Sequence, residues 1–406
     1  MRKSIFPLAL LFITLNLFSQ VEQTEAAVVN VVVPVLVFDG DKFVDDLKID
    51  DFELYENGVI QKVEALYLAD KTHITRAEEL KKFSPQLARH FYLLFQLTDY
   101  DPKLAKALDF LFQKVLLPGD TLTIYTAVKP YALSPQALKT KPKELISKEM
   151  QGIVRKDTKI GASTYRSVLR DLQRLVSSMA GAVANVGAER EVEEEAMAGQ
   201  GSSLEFLLPR YRSTLQKMEE LRFVDQNKFL QFAKALKTLD GQKNVYLFYQ
   251  REYRPELAPA IVNQIFSQYQ DNPNIIGDMQ DLFSFYHRYS TVDSVVVKQA
   301  FSDASVLFNL IFLDKEKENI SGVYLKEQSE DIFRAFSDVA KATGGVVDTS
   351  QNPYAAFKGA LDKSESYYIL YYTPLDRTKD GKFRTIKVSV KGKDYAVKHR
   401  LGYYVQ

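Results

Sequence analysis

The feature that most constrains this chain is the order of its periodicities: strand-like segments at both ends, and alternating strands and helices between them. Val28 to Phe38 is rich in β-branched residues and stops at Asp39-Gly40, a dipeptide suited to a tight hairpin turn. Asn57-Gly58 marks a second turn, between Phe52-Glu53-Leu54-Tyr55 and Val59 to Leu68. Residues 27–70 are therefore expected to form an N-terminal β segment, and the polar stretch 70–89 a linker or short helix. At the other end, Tyr367 to Thr373, Phe383 to Val390 and Tyr395 to Tyr404 read as strands, giving a C-terminal β segment over 364–406. Hairpins this short need something to cover their apolar face. The economical arrangement packs the two segments together as one small β-sandwich-like module.

The middle alternates. His90 to Leu97 reads as an apolar strand, Pro102 to Leu117 has helical spacing, and Pro118-Gly119-Asp120 closes that helix before a strand from Thr121 to Val128. Strand, crossover helix and strand form the βαβ unit of a mostly parallel sheet. Ser163 to Val183 and Leu204 to Leu239 are amphipathic, so a helical insert is expected over 163–240. Asn244 to Tyr249 and Ala304 to Leu313 resume the sheet, followed by a helix from Asp331 to Thr343, a short strand from Gly345 to Asp348 and a helix from Tyr354 to Leu361. The α/β region so delimited is 88–363.

Met1-Arg2-Lys3-Ser4 and the apolar run Ile5 to Phe18, followed by Ser19-Gln20 and Ala26-Ala27, have the order of parts of a secretory signal peptide over 1–20. The run is short for a bilayer span, with an uncleaved anchor as the alternative. The expectation is an exported protein, periplasmic or secreted, whose mature chain does not insert in a membrane. Without those 20 residues the chain carries 51 basic and 52 acidic residues, a balance that excludes a polybasic nucleic-acid binder. There is no cysteine, hence no disulfide, no Cys-ligated zinc and no thiol nucleophile.

Catalytic motifs are also missing. His73, His90, His287 and His399 are scattered, and no Gly-x-Ser-x-Gly elbow, P-loop or dinucleotide fingerprint occurs. Asp39-Gly40-Asp41 begins like a calcium loop, but Phe43 and Val44 occupy positions where that loop needs a ligand and a glycine. The five glutamates between Gly187 and Ser203 read as a solvated loop, because nothing there arranges carboxylates round one ion.

The sequence of motifs resembles the von Willebrand factor A-related proteins of acidobacteria and similar bacteria. The likeness is carried by Asp51-Phe52-Glu53-Leu54-Tyr55-Glu56-Asn57-Gly58, by Val115-Leu116-Leu117-Pro118-Gly119-Asp120, and by Leu239 to Phe248. It continues in Ala340-Lys341-Ala342-Thr343-Gly344-Gly345, in Tyr367 to Tyr372, in Asp380 to Arg384, and in Leu401-Gly402-Tyr403-Tyr404. The resemblance implies a doubly wound, mostly parallel sheet of the von Willebrand factor A/Rossmann-like type, inserted between the terminal β segments. It also implies a divalent cation at the carboxyl ends of the strands, held by an Asp-x-Ser-x-Ser motif, a Thr and a further Asp.

This chain departs from that pattern. The first motif falls on Gln96-Leu97-Thr98-Asp99-Tyr100, the Thr loop near Gly161-Ala162-Ser163-Thr164, and the last Asp near Gln250-Arg251-Glu252. Amide oxygens lack the charge that offsets dehydration of Mg²⁺. The metal-ion-dependent adhesion site is thus read as degenerate and no cofactor is expected; a displaced Mg²⁺ or Ca²⁺ site on Asp99, Asp101 and Glu252 is the alternative. The binding-face candidates are Gln96, Thr98, Asp99, Tyr100, Asp101, Ser163, Thr164, Gln250 and Glu252. The expected function is non-catalytic protein binding or scaffolding, with no nucleic-acid partner. A structural part of a cell-envelope assembly and a hydrolase built from distant residues remain as rival readings.

Overall fold

The computed structural model describes residues 30–185, 203–286, 292–350 and 352–405. The signal-like segment 1–20, the glutamates between 187 and 203, and His287 lie outside the described residues.

Among the described residues, one six-stranded sheet contains all the parallel pairing. Its strands are β7 (Arg89–Gln96), β8 (Thr121–Tyr125), β9 (Pro130–Leu133), β10 (Gln242–Gln250), β12 (Val306–Leu313) and β14 (Val347–Asp348), in the order β14-β12-β10-β7-β8-β9. Only β9 runs antiparallel to its neighbour. Both faces are covered, so its central strands are apolar on both sides. Phe91, Leu93, Phe95 and Phe248 face α1 (Lys103–Phe110), α2 (Pro135–Thr140), α3 (Lys143–Gly161) and α11 (Pro353–Asp362). Val245, Leu247, Tyr249, Phe308 and Phe312 face α6 (Gln226–Lys237), α9 (Ser294–Asp303) and α10 (Glu330–Ala342). Arg89 is buried at the start of β7. It forms a two-pronged ion pair with Asp120, Nε to Oδ1 at 3.0 Å and Nη2 to Oδ2 at 2.6 Å, that ties the βαβ crossover to the sheet.

A separate helical core is built from α4 (Ser163–Asn185), α5 (Leu204–Leu221), α7 (Pro259–Gln268) and α8 (Pro273–Tyr286). It also takes in the two-stranded ribbon of β11 (Tyr253–Leu257) and β13 (Val323–Glu327). Leu204 to Leu239 is not one helix. Asp225 ends the continuity by accepting Asn227 N and Lys228 N as the N-cap of α6.

The remaining strands are antiparallel. β1 (Val31–Asp39), β2 (Lys42–Phe43), β5 (Val63–Asp70), β6 (His73–Glu79), β15 (Ser366–Tyr372) and β17 (Ala396–His399) share one sheet, in the order β17-β1-β15-β5-β6 with β2 on β1. β3 (Phe52–Glu56), β4 (Val59–Gln61), β16 (Phe383–Val390) and β18 (Gly402–Tyr404) form another, in the order β18-β16-β3-β4. The two curl round one core of Val33, Val35, Leu54, Leu66, Tyr368, Leu370, Tyr372 and Val388 as a half-barrel.

Two expectations are corrected. Among the described residues ten strand pairings are antiparallel and four are parallel. The chain is therefore a mixed α/β protein with mostly antiparallel sheets. It is not a doubly wound, mostly parallel Rossmann-like sheet with a minor β module attached. The physical reason lies in the connections: tight turns such as Asp39-Gly40 and Asn57-Gly58 return a strand beside its neighbour, and only the helical crossovers in the middle give parallel pairs. The polar stretch 70–89 is a linker only over 80–88. Before that, β6 is an edge strand with alternating exposure, and the charges of Arg76, Glu78 and Glu79 suit an edge that must not recruit another chain.

Candidate functional site

Carboxyl ends of neighbouring parallel strands converge on one rim, and the side chains just beyond β7, β10 and β12 meet there. Gln250, last in β10, is buried, and its Oε1 accepts Thr98 N at 3.0 Å, Thr98 Oγ1 at 3.0 Å and Asp99 N at 2.8 Å. One neutral oxygen thus fixes the turn after β7. Asp99, held in that turn, faces cations. Lys315, just beyond β12, brings Nζ to 2.5 Å from Asp99 Oδ2 and 3.4 Å from Thr98 Oγ1. Arg166 of α4 places Nη1 3.6 Å from Asp99 Oδ1 and anchors itself on the carbonyls of Thr98 and Lys159.

The other candidates have separate tasks. Asp101 accepts Lys103 N at 2.8 Å and starts α1. Tyr100 packs on the core beside α1, where burial raises its phenol pKa. Ser163 bonds the carbonyl of Ile160 at 2.7 Å, and Thr164 is exposed on the first turn of α4. Gln96 is exposed at the end of β7 and lines the cavity described below. Glu252 is only 5% exposed, bonds Arg222 Nε at 2.6 Å and lies at the back of the cavity described below. Burial raises its pKa, while Arg222 pulls it back down. Arg222 also reaches Asp331 at 3.1 Å and the carbonyl of Gln328 at 2.6 Å.

Thr98, Asp99 and Gln250 are therefore brought together, whereas Asp99, Asp101 and Glu252 are not. Among the described residues no group of three His, Asp or Glu side chains is placed to hold a metal ion. The donor set at the rim does not fit the cation that the family resemblance implies. Asp99, the carboxylate in the turn that Gln250 holds, is already met by an ammonium and a guanidinium, which would repel a divalent ion.

Beside this polar rim opens a cavity of about 660 Å³, between α6 and the carboxyl ends of β7, β8 and β10. Its wall is largely apolar, with Leu94, Phe229, Phe232 and Phe336, and its polar corner is Arg222, Glu252 and Tyr249. The Tyr249 hydroxyl is buried without a hydrogen-bond partner, close to the Arg222 guanidinium. At the mouth Leu221 is 42% and Phe223 64% exposed, which is high for large apolar side chains on a folded surface. Sequence reading missed Lys315, Arg166, Arg222 and Phe223. For Lys315 a signal existed, because a charged residue directly after a buried parallel strand falls on this rim.

The histidines among the described residues are engaged by local partners. His90 uses both ring nitrogens, on Thr121 Oγ1 at 2.8 Å and on the carbonyl of Asp240 at 3.0 Å. His73 is exposed and touches only Thr72 at 3.3 Å. No helix among the described residues is long and apolar enough to cross a membrane. No protein-family model, curated protein or solved structure matches the chain.

Proposed function

We propose that this chain is an exported, non-catalytic protein-binding module, and that its partner docks at the carboxyl rim of the parallel sheet. The observation that carries the reading is the large apolar cavity opening between the exposed rings and side chains of Leu221 and Phe223. A partner segment with an aromatic or branched aliphatic anchor would fill the cavity and cover Phe223. A hydroxyl or amide on that anchor would reach the Arg222, Glu252 and Tyr249 corner. Interfaces take most of their energy from a few such anchors in desolvated pockets. The Lys315–Asp99–Arg166 cluster supports metal-independent docking, because the Asp99 carboxylate is already paired with two cations of the same chain.

The test is affinity capture from the native cell envelope with wild type and Phe223→Asp, each with and without EDTA. Phe223 is mostly solvated, so the substitution should leave the melting temperature unchanged. A partner kept in EDTA and lost with Phe223→Asp supports the reading. A partner lost in EDTA, or retained undiminished by Phe223→Asp, defeats it.

A structural role in an envelope assembly has its own supporting feature. β4 is an edge strand, and its Val59 and Ile60 are 55% and 57% exposed, an apolar edge suited to strand addition. An oligomer in size-exclusion chromatography that dissociates with Ile60→Pro would favour that role over rim docking.

A further inference from the structure

At the opposite end of the parallel sheet, the last turns of α6, α9 and α10 and the amino ends of β10 and β12 approach the antiparallel sheet. Between them lies a second cavity, of about 380 Å³. Five basic residues line it, Lys237, Lys243, Lys398, His399 and Arg400, against two acids, Asp240 and Asp303. Most of these are accounted for locally. Lys237 pairs with Asp303 at 2.7 Å, and the other oxygen of Asp303 accepts Tyr404 N at 2.9 Å. His399 is held neutral: Nε2 accepts Val388 N at 3.1 Å, so the proton sits on Nδ1, which donates to the carbonyl of Arg400 at 2.9 Å. Lys398 lies over the ring of Phe38, and Asp240 is exposed. Lys243 donates to the carbonyl of Leu239 at 3.0 Å, beside the end of α6, where the helix dipole favours a cation.

Arg400 is different. It is 9% exposed, its Nε has no hydrogen-bond partner, and it forms no ion pair among the described residues. Its near neighbour is the ring of Tyr403, at 5.7 Å. The carboxylate whose charge it feels is Asp303, but both oxygens of that group are taken, by Lys237 and by Tyr404 N, and neither forms an ion pair with Arg400. A guanidinium cannot shed its proton to escape burial, and buried charges in folded proteins are paired. Lys243 sits close enough to feel the same excess, since burial and then the charge of Arg400 lower its pKa to about 8. The missing partner is a negative charge, and the cavity has room for the molecule that bears it.

We infer that this cavity binds a small organic anion, its carboxylate or phosphate oxygens accepting from Arg400 and Lys243 and its compact apolar body lying against Tyr367 and Tyr371. The planar fork of arginine suits such two-oxygen heads, and lysine adds a point charge. The site is at the junction of the two sheet systems, away from the rim assigned to partner binding, so either assignment can fail without the other.

The test uses the full chain in chloride buffer at constant ionic strength, with benzoate, phenyl phosphate, inorganic phosphate and phenol as probes. Calorimetry should show saturable binding of benzoate or phenyl phosphate, and thermal melts a matching rise, with phenol inert. Arg400→Met should weaken that binding at least tenfold and leave the unliganded melting temperature unchanged or higher, because an unpaired buried charge has gone. A purely structural Arg400 predicts the reverse, a destabilised variant and no probe effect in wild type. As a readout independent of any variant, the binding probe should slow acetylation of Lys243 in wild type several-fold, followed by mass spectrometry. The inference is overturned by no probe exceeding the chloride control, by undiminished binding in Arg400→Met, or by unprotected Lys243. Inorganic phosphate binding as tightly as phenyl phosphate overturns the organic body of the ligand.

Discussion

Replacing Lys243 by methionine should make the protein more stable at neutral pH, and the gain should fade as the pH rises. Lys243 is 5% exposed, and its ammonium has one hydrogen bond, to the carbonyl of Leu239. Burial, with the charge of Arg400 added, lowers its pKa from 10.5 to about 8. The folded state therefore holds this proton less tightly than the unfolded chain. The side chain's full contribution to stability is present above the unfolded pKa and is lost as the pH falls through about 8. A shift of that size means that burying Lys243 costs about 3 kcal/mol at roughly pH 7, and about 1 kcal/mol at roughly pH 9.5. Methionine fills similar volume and does not titrate. The stability difference between Lys243→Met and wild type should shrink by about 2 kcal/mol over that interval. Urea unfolding of both proteins in chloride buffer at the two pH values measures it, and titrations elsewhere in the chain cancel in the difference. A difference constant to within about 0.5 kcal/mol would refute the assignment of a buried, charge-strained lysine.

Three further outcomes follow from single contacts. Arg89→Met strands Asp120 in the core and should cost about 3–5 kcal/mol in urea unfolding, while Arg89→Met with Asp120→Leu should recover most of the loss; a double variant as unstable as the single would be inconsistent with this. Gly241→Ala should destabilise by about 2–3 kcal/mol, because φ is +86° and a Cβ would lie 2.2 Å from the carbonyl oxygen of Ala88, itself pinned by Gln242 N at 2.8 Å. An unchanged urea midpoint would show that the loop relaxes. Tyr372→Phe removes a 2.6 Å hydrogen bond to the buried carboxyl of Glu56 and should cost about 1.5–3 kcal/mol, with a loss below about 0.5 kcal/mol counting against a stabilising role for that bond.

Segments with clear periodicity were legible. Phe383–Val390 reads as a strand with the ends it has, because its alternate burial is written in alternate apolar residues. Tyr395 to Tyr404 reads as one strand but is two, β17 and β18, in different sheets, since the turn at Arg400 and Leu401 answers to packing rather than propensity. The balance of parallel and antiparallel pairing was misjudged for a related reason. A strand–helix–strand order specifies one sheet, and says nothing about how many separate antiparallel strands gather beside it. At the rim, Thr98 and Gln250, 152 residues apart, fell into one set of candidates only through the family resemblance, which puts both at the carboxyl ends of strands. Arg166 and Arg222 did not, because amphipathic helices carry many arginines and only packing decides which of them meets a buried or clamped carboxylate.

The half-barrel also fixes an order of events in time. Leu47 N bonds the hydroxyl of Tyr368, 321 residues later, and Glu56 waits for Tyr372, 316 residues later. At ordinary rates of synthesis β1 and β3 emerge roughly 15 to 60 s before their partners exist. The α/β sheet and helical core can form in that interval, so the half-barrel is the last part of this protein to close. Until then Val31–Asp39 is an apolar strand whose pairing is limited to the two residues of β2 at its end. Chains stopped before Ser366 should expose that strand to proteases and chaperones, while their α/β core already resists digestion.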